Sequence, residues 1–164
     1  MLVQVWFVVS PHNPMKLKQT LLQDYHRLAL VRTAIEHNRK LKASNVEFSL
    51  PKPSYTIDTL THLSEKFPEH EFVLIIGSDN LQSFHEWKNY EQILEHYSLY
   101  VYPRSGFNGG DLASYPNVKM IEAPLMGISS TIIRDAIKNK KDVRYMLTNS
   151  VYNYIEEMHF YEKD

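Results

Sequence analysis

The chain's most explicit chemistry lies in seven consecutive residues, Ile128-Ser129-Ser130-Thr131-Ile132-Ile133-Arg134. Three hydroxyls fall where a helical pattern begins. The free N–H groups of a helix's first turn, together with its dipole, favour an anion there. Arg134 follows one turn on, and its planar fork matches phosphate oxygens. An ordinary N-cap is the other reading, but it uses one hydroxyl and leaves two more and an arginine unassigned. A second segment, Ile75-Ile76-Gly77-Ser78-Asp79, places a glycine directly after an apolar strand, where a ligand can approach the backbone closely. Asp79 could then accept from a ribose hydroxyl or orient a metal-bound water, or it could simply cap the next turn. A third set is aromatic. Tyr55, in Pro53-Ser54-Tyr55-Thr56, and Phe84 and Trp87, in Phe84-His85-Glu86-Trp87, could stack on a flat ring. Core packing is the alternative, for Phe84 above all, whereas Trp87 precedes Lys88 in a polar segment and is expected to be exposed. His12, between two prolines and near Lys16 and Lys18, could contact a phosphate or belong to a solvated basic loop. The other seven histidines form no His-x-x-x-His pattern, so no resident metal is expected.

Composition narrows what these residues can serve. The 164 residues suit one domain, 1–164, with no repeat, low-complexity tract or linker to divide it. A hydrophobic content of 43% and a charged content of 23% are globular values, so disordered and collagen-like classes are excluded. A formal net charge of -1 with dispersed Lys and Arg argues against nucleic acid as a partner. The absence of cysteine excludes disulfides, thiolate zinc sites and a cysteine nucleophile, and suits a reducing compartment, the cytoplasm. No apolar run approaches the ~20 residues that span a bilayer, so no membrane partner is expected. Met1 to Val9 lacks a basic flank and a cleavage site and reads as a strand.

The elements that must position the candidates follow from period and punctuation. Val3 to Val9 is apolar on both faces, as a buried parallel strand is. A helix is predicted from about Leu21 to Arg39, with Leu21, Tyr25, Leu28 and Ile35 inward. Val46 to Leu50 reads as a second strand. Ser54 or Thr56 can cap a helix that runs to Phe67, where Pro68 stops it. Phe72 to Ile76 is the clearest buried strand. Tyr90 to Tyr97 is a short helix, Leu99 to Tyr102 a strand, Gly106 to Pro116 a loop and Val118 to Ala123 a strand. Ser129 to Asn139 and Asn149 to His159 are helices. Strands alternating with helices predict an α/β fold, a parallel sheet with helices on both faces. Ligands of such sheets sit beyond the carboxyl ends of the strands. That rule selects Ser10 to Lys18, Gly77 to Trp87, Pro103 to Gly106 and Leu125 to Thr131.

Taken together and in order, these segments resemble the bacterial nicotinate-nucleotide adenylyltransferases, of the nucleotidylyltransferase superfamily. The matching pieces are Val5-Trp6-Phe7-Val8 with Ser10-Pro11-His12-Asn13-Pro14, His26-Arg27, Pro53-Ser54-Tyr55-Thr56-Ile57-Asp58-Thr59-Leu60, Ile75-Ile76-Gly77-Ser78-Asp79, Trp87, Arg104 and Ile128 to Arg134. They cover essentially the whole chain. The last motif is common to the superfamily, and Pro-Ser-Tyr-Thr narrows it to this branch. The resemblance implies a Rossmann-like fold and transfer of AMP from ATP, with Mg²⁺, to nicotinate mononucleotide in NAD biosynthesis. The acceptor phosphate attacks the α-phosphorus directly, and no protein nucleophile takes part. It implies ATP contacts at His12, Gly77, Asp79, Ser129, Ser130, Thr131 and Arg134, with Arg134 stabilising phosphate charge. Nicotinate mononucleotide contacts are implied at Tyr55, Thr56, Trp87 and Lys88.

Two departures qualify the resemblance. The family opens with a strand, a glycine-rich turn and a His-x-Gly-His motif, yet no His-x-Gly-His occurs in these 164 residues and no glycine precedes Gly77. The expectation is therefore a first βα unit missing, of about 25–30 residues. A start further upstream, a partner chain or self-association supplying the strand, and an inactive nucleotide-binding remnant are the readings left open. Lys88 stands where relatives often carry an aromatic residue, and its cation could pair with a carboxylate. A related transferase with another phosphate acceptor is the remaining alternative.

Overall fold

A computed structural model describes residues 4–11 and 22–162. His12, Lys16, Lys18 and Leu21 lie outside the described residues. In chain order the elements are β1 (Val5–Val8), α1 (Asp24–Ile35), β2 (Leu41–Ser44), α2 (Thr56–Lys66), β3 (Val73–Gly77), α3 (Ser78–Gln82), α4 (Tyr90–His96), β4 (Ser98–Tyr102), β5 (Val118–Met120), α5 (Ser130–Lys138) and α6 (Asn149–Glu157). Short 3-10 turns occupy Val46–Ser49, Phe84–Glu86, Gly110–Ser114 and Arg144–Met146. The architecture is α/β, and every strand pairing is parallel among the described residues. The chain forms two compact units, one of residues 1–54 with 127–164 and one of residues 55–126.

In the first unit β1 pairs with β2, Val5 opposite Leu41 and Val8 opposite Ser44. The predicted second strand at Val46 to Leu50 is corrected, because that stretch is a 3-10 turn and the strand lies just before it. Leu41-Lys42-Ala43-Ser44 has no β-branched residue to mark it as a strand. Its backbone is fixed by the ladder to β1, a case of strand formation set by context over propensity. The helix tail is also shorter than predicted: α1 ends at Ile35, and the Asn38 side chain accepts from the Lys40 N–H at 3.0 Å in the turn that follows. Tyr25 does not face inward as its spacing predicts, being 54% exposed. Its neighbour His26 takes that place, edge-on to Phe160 at 4.7 Å and 3.3 Å from the Tyr154 hydroxyl. A small core of Val151, Ile155 and Phe160 holds Leu30 of α1, Ile137 of α5 and Tyr161 against it.

The second unit has the larger core. Its sheet runs β3-β4-β5. Leu81, Phe84, Ile93, Leu99 and Val101 are fully buried, and each such side chain contributes about 1.5–3 kcal/mol relative to exposure. β5 is shorter than predicted and ends at Met120, and Gly110–Ser114 turns once inside the predicted loop. The result is a rigid base for the turn that leaves β3.

Candidate active site

At the carboxyl end of β3 the chain passes straight into α3. Ser78, fully buried, donates its hydroxyl to the Phe107 carbonyl at 3.0 Å and accepts from the Arg104 N–H at 2.9 Å. One side chain thus ties this turn to the segment after β4. Asp79 does not cap α3, whose N-cap is Gly77 without a side-chain bond. Its carboxylate instead lies 3.8 Å from Arg104 Nε, and Asn80 donates to it at 3.4 Å. Gly77 has an ordinary φ of -82°, so its role is space. A Cβ there would collide with Asp79 Oδ1 and come within 3.1 Å of Arg104 Cγ. The Arg104 Nε–H is buried and makes no hydrogen bond, its 3.8 Å ion pair with Asp79 being too long for one. Spacing alone did not single out Arg104, although its place just after β4 and Pro103 marks a strand's carboxyl end.

In the same unit Tyr55, Thr56, Trp87 and Lys88 gather around the start of α2. Neither Ser54 nor Thr56 caps that helix. Tyr55 is the N-cap residue, with no side-chain bond, and Thr56 is the first helical residue. The chain enters in extended conformation at Tyr55, which sets its ring against the core. Lys88 Nζ reaches both Asp58 oxygens, at 3.0 and 3.2 Å, and sits 4.6 Å from the Tyr55 ring centroid. Trp87 is only half-exposed, contrary to its polar sequence context, because its ring lies 4.8 Å from buried Phe84. Phe84 is core, as one reading of the sequence had it. Asp58 was not singled out as a partner, since 30 residues separate it from Lys88 and no local pattern spans that interval.

In the first unit Ser129 caps α5, its hydroxyl accepting from the Ile132 N–H at 3.2 Å. The cap accounts for Ser129 alone. Ser130 and Thr131 are exposed on the first turn, and Arg134 Nη2 donates to Thr131 Oγ1 at 3.2 Å. No acidic residue occupies that turn, and Arg134 has no ion pair among the described residues. The helix thus presents hydroxyls, first-turn N–H groups and a guanidinium, none of them neutralised by a carboxylate. Among the described residues no group of three or more His, Cys, Asp or Glu could hold a metal ion. No helix of the described residues is long and apolar enough to cross a membrane.

Comparison with known proteins gives this geometry its context. Residues 2–136 match the Cytidylyltransferase-like family. The chain is 52% identical over 158 residues, 96% of its length and 82% of the relative's, to "Probable nicotinate-nucleotide adenylyltransferase" of Cytophaga hutchinsonii. It is 52% identical over 162 residues, 98% and 84% of the two lengths, to the protein of the same name in Flavobacterium psychrophilum. Among solved structures its fold is similar to the Plasmodium falciparum nicotinic acid mononucleotide adenylyltransferase complexed with NaAD, with a TM-score of 0.81 at 20% identity, covering 99% of this chain and 84% of that one. With its parallel α/β architecture, its Gly77-Ser78-Asp79 turn and its hydroxyl-rich helix start, the chain belongs to the nicotinate-nucleotide adenylyltransferase family.

Proposed function

We propose that this chain transfers AMP from ATP to nicotinate mononucleotide, giving nicotinate adenine dinucleotide and pyrophosphate, as a cytoplasmic step of NAD biosynthesis. The observation that carries the reading is the start of α5, where exposed Ser130 and Thr131 and half-buried Arg134 stand without a carboxylate partner among the described residues, on a chain half-identical to named adenylyltransferases. An acceptor phosphate oxygen attacks the α-phosphorus of ATP, a P–O bond forms there, and the bond to the β-phosphate oxygen breaks. Such a step needs positioning and charge stabilisation more than covalent help. Ser129, Ser130, Thr131 and Arg134 hold the triphosphate in this reading, and within these residues the charge developing on the phosphates falls to Arg134. Gly77 and Asp79 lie against the nucleotide. Tyr55, Thr56 and Trp87 receive the nicotinate ring, and Lys88 faces its carboxylate. His12, outside the described residues, is an additional phosphate contact in this reading.

Mg²⁺ fits as the companion of ATP rather than as a resident ion, because it keeps most of its waters and binds through substrate phosphates. Bound with ATP, it would neutralise part of the triphosphate charge. Asp79 is the one candidate-site carboxylate beside the nucleotide in this reading, and it is shared with Arg104. Calorimetric titration with nicotinate mononucleotide and with nicotinamide mononucleotide tests the acceptor. Tighter binding of the carboxylate form is the expected result, and a preference for the neutral amide ring would reject this acceptor.

A further inference from the structure

The last described turn of the chain lies against the helices that carry two arginines. His159 and Tyr161 both adopt left-handed backbone, φ 51° and 67°, a conformation rare for bulky side chains. Between them Phe160 is 8% exposed and completes the core of Val151 and Ile155. Leu30 of α1, Ile137 of α5 and Tyr161 all pack on that core. Arg27 lies three residues before Leu30, and Arg134 three before Ile137. Each guanidinium therefore rises from the helix face that looks toward the Phe160–Tyr161 turn. Both charges act on the Tyr161 hydroxyl, opposing the effect of its burial. Arg27 is steadied by backbone, its Nε donating to the Leu22 carbonyl at 3.0 Å and its Nη2 to the Pro11 carbonyl at 3.4 Å, beyond the end of β1. Among the described residues neither arginine is ion-paired. Neither guanidinium has a counter-charge among the described residues, and a multiply charged anion is the ligand that could supply one to both.

We propose that Arg27 is a second guanidinium of the phosphate site at the start of α5, and that Tyr161 is the positioning residue that aims Arg27 and Arg134 at one phosphate group. The proposal rests on the reading of that helix start as a phosphate site. Its ligand class is a phosphomonoester or polyphosphate, which either the triphosphate or the mononucleotide can supply. The Phe160–Tyr161 turn then joins the C-terminal residues to the site through packing, with its strained backbone held by the burial of Phe160.

The test is calorimetric titration of the full chain with pyrophosphate, ATP with Mg²⁺, and nicotinate mononucleotide. Arg27→Gln is expected to raise the Kd for pyrophosphate about tenfold or more, comparable to Arg134→Gln, as for other hydrogen bonds to charged groups. Arg27→Lys keeps the charge but not the fork and is expected to bind about threefold or more weakly. Tyr161→Phe, which keeps the packed ring, is expected to weaken pyrophosphate binding several-fold without shifting the melting temperature. Weakening confined to ATP and pyrophosphate assigns the phosphate to the triphosphate; weakening confined to nicotinate mononucleotide assigns it to the acceptor. A wild-type chain that binds none of the three overturns the underlying phosphate reading. Wild-type affinity in both Arg27 variants, with Arg134→Gln weakened, overturns the Arg27 assignment alone. Unchanged affinity in Tyr161→Phe overturns the positioning role.

Discussion

Replacing Gly77 by alanine places a methyl group against Asp79 Oδ1, with Arg104 Cγ at 3.1 Å and Nε at 3.3 Å. The Asp79 side chain is short and must leave its rotamer to make room. That rotation costs about 0.5–1.5 kcal/mol. It also gives up the 3.8 Å pairing with Arg104, and a half-exposed pair of this kind contributes at most about 1 kcal/mol. The expected destabilisation is therefore about 1–2 kcal/mol, or roughly 2–8 °C in Tm for a domain of this size. The decisive comparison is a double-mutant cycle read by urea unfolding. Asp79→Ala alone loses only the weak pair. In that background Gly77→Ala has no carboxylate to displace and costs little further. The two substitutions should couple by about 1 kcal/mol, as contacting residues do. Additive effects would refute the claim that Gly77 is small in order to seat Asp79.

Ser129→Ala removes the α5 cap bond at 3.2 Å and should cost about 1 kcal/mol by calorimetric melting, whereas Ser130→Ala, exposed and uncapping, should stay within about 0.5 kcal/mol. Lys88→Met should raise KM for nicotinate mononucleotide about two- to fivefold in steady-state assays, while Asp58→Asn, which strips Lys88 of its counter-charge, should lower it. Changes in the same direction for both variants would contradict the role of Lys88. Burial raises the Tyr161 phenol above its ordinary value of 10.0 despite the two arginines. The folded state then holds a proton that the unfolded state releases, so stability is full below pH ~10 and declines as pH rises through the folded value. Tyr161→Phe should flatten that decline between pH 9 and 11 in chemical denaturation.

How much of this was legible in the sequence depended on whether the signal was local. β3 was legible because Val73 to Ile76 is an unbroken apolar run, and the cap of α5 was legible because a hydroxyl directly precedes a helical pattern. β2 was not, since nothing in Leu41 to Ser44 favours a strand apart from the ladder it makes with β1. Tyr25 and His26 exchanged places because spacing cannot say which of two neighbours meets Phe160. Trp87 was read from its polar neighbours, while its ring follows Phe84. The partners of Lys88, Gly77 and Arg27 were equally hidden, because each is set by a contact whose geometry exists only after folding. The sequence offered hydroxyl, arginine and aromatic candidates for phosphate and ring contacts, and the partners that steady those side chains exist only in the folded chain.

The helix start at Ser129 to Arg134 is proposed to serve adenylyl transfer. Its most direct measurement follows nicotinate adenine dinucleotide and pyrophosphate formed from ATP, Mg²⁺ and nicotinate mononucleotide by the full chain and by Arg134→Gln. Dinucleotide and pyrophosphate appearing in equal amounts, with turnover cut about 10²–10³-fold in Arg134→Gln at unchanged fold, is the predicted result. No dinucleotide from the wild-type chain, or full turnover without the arginine, would contradict it.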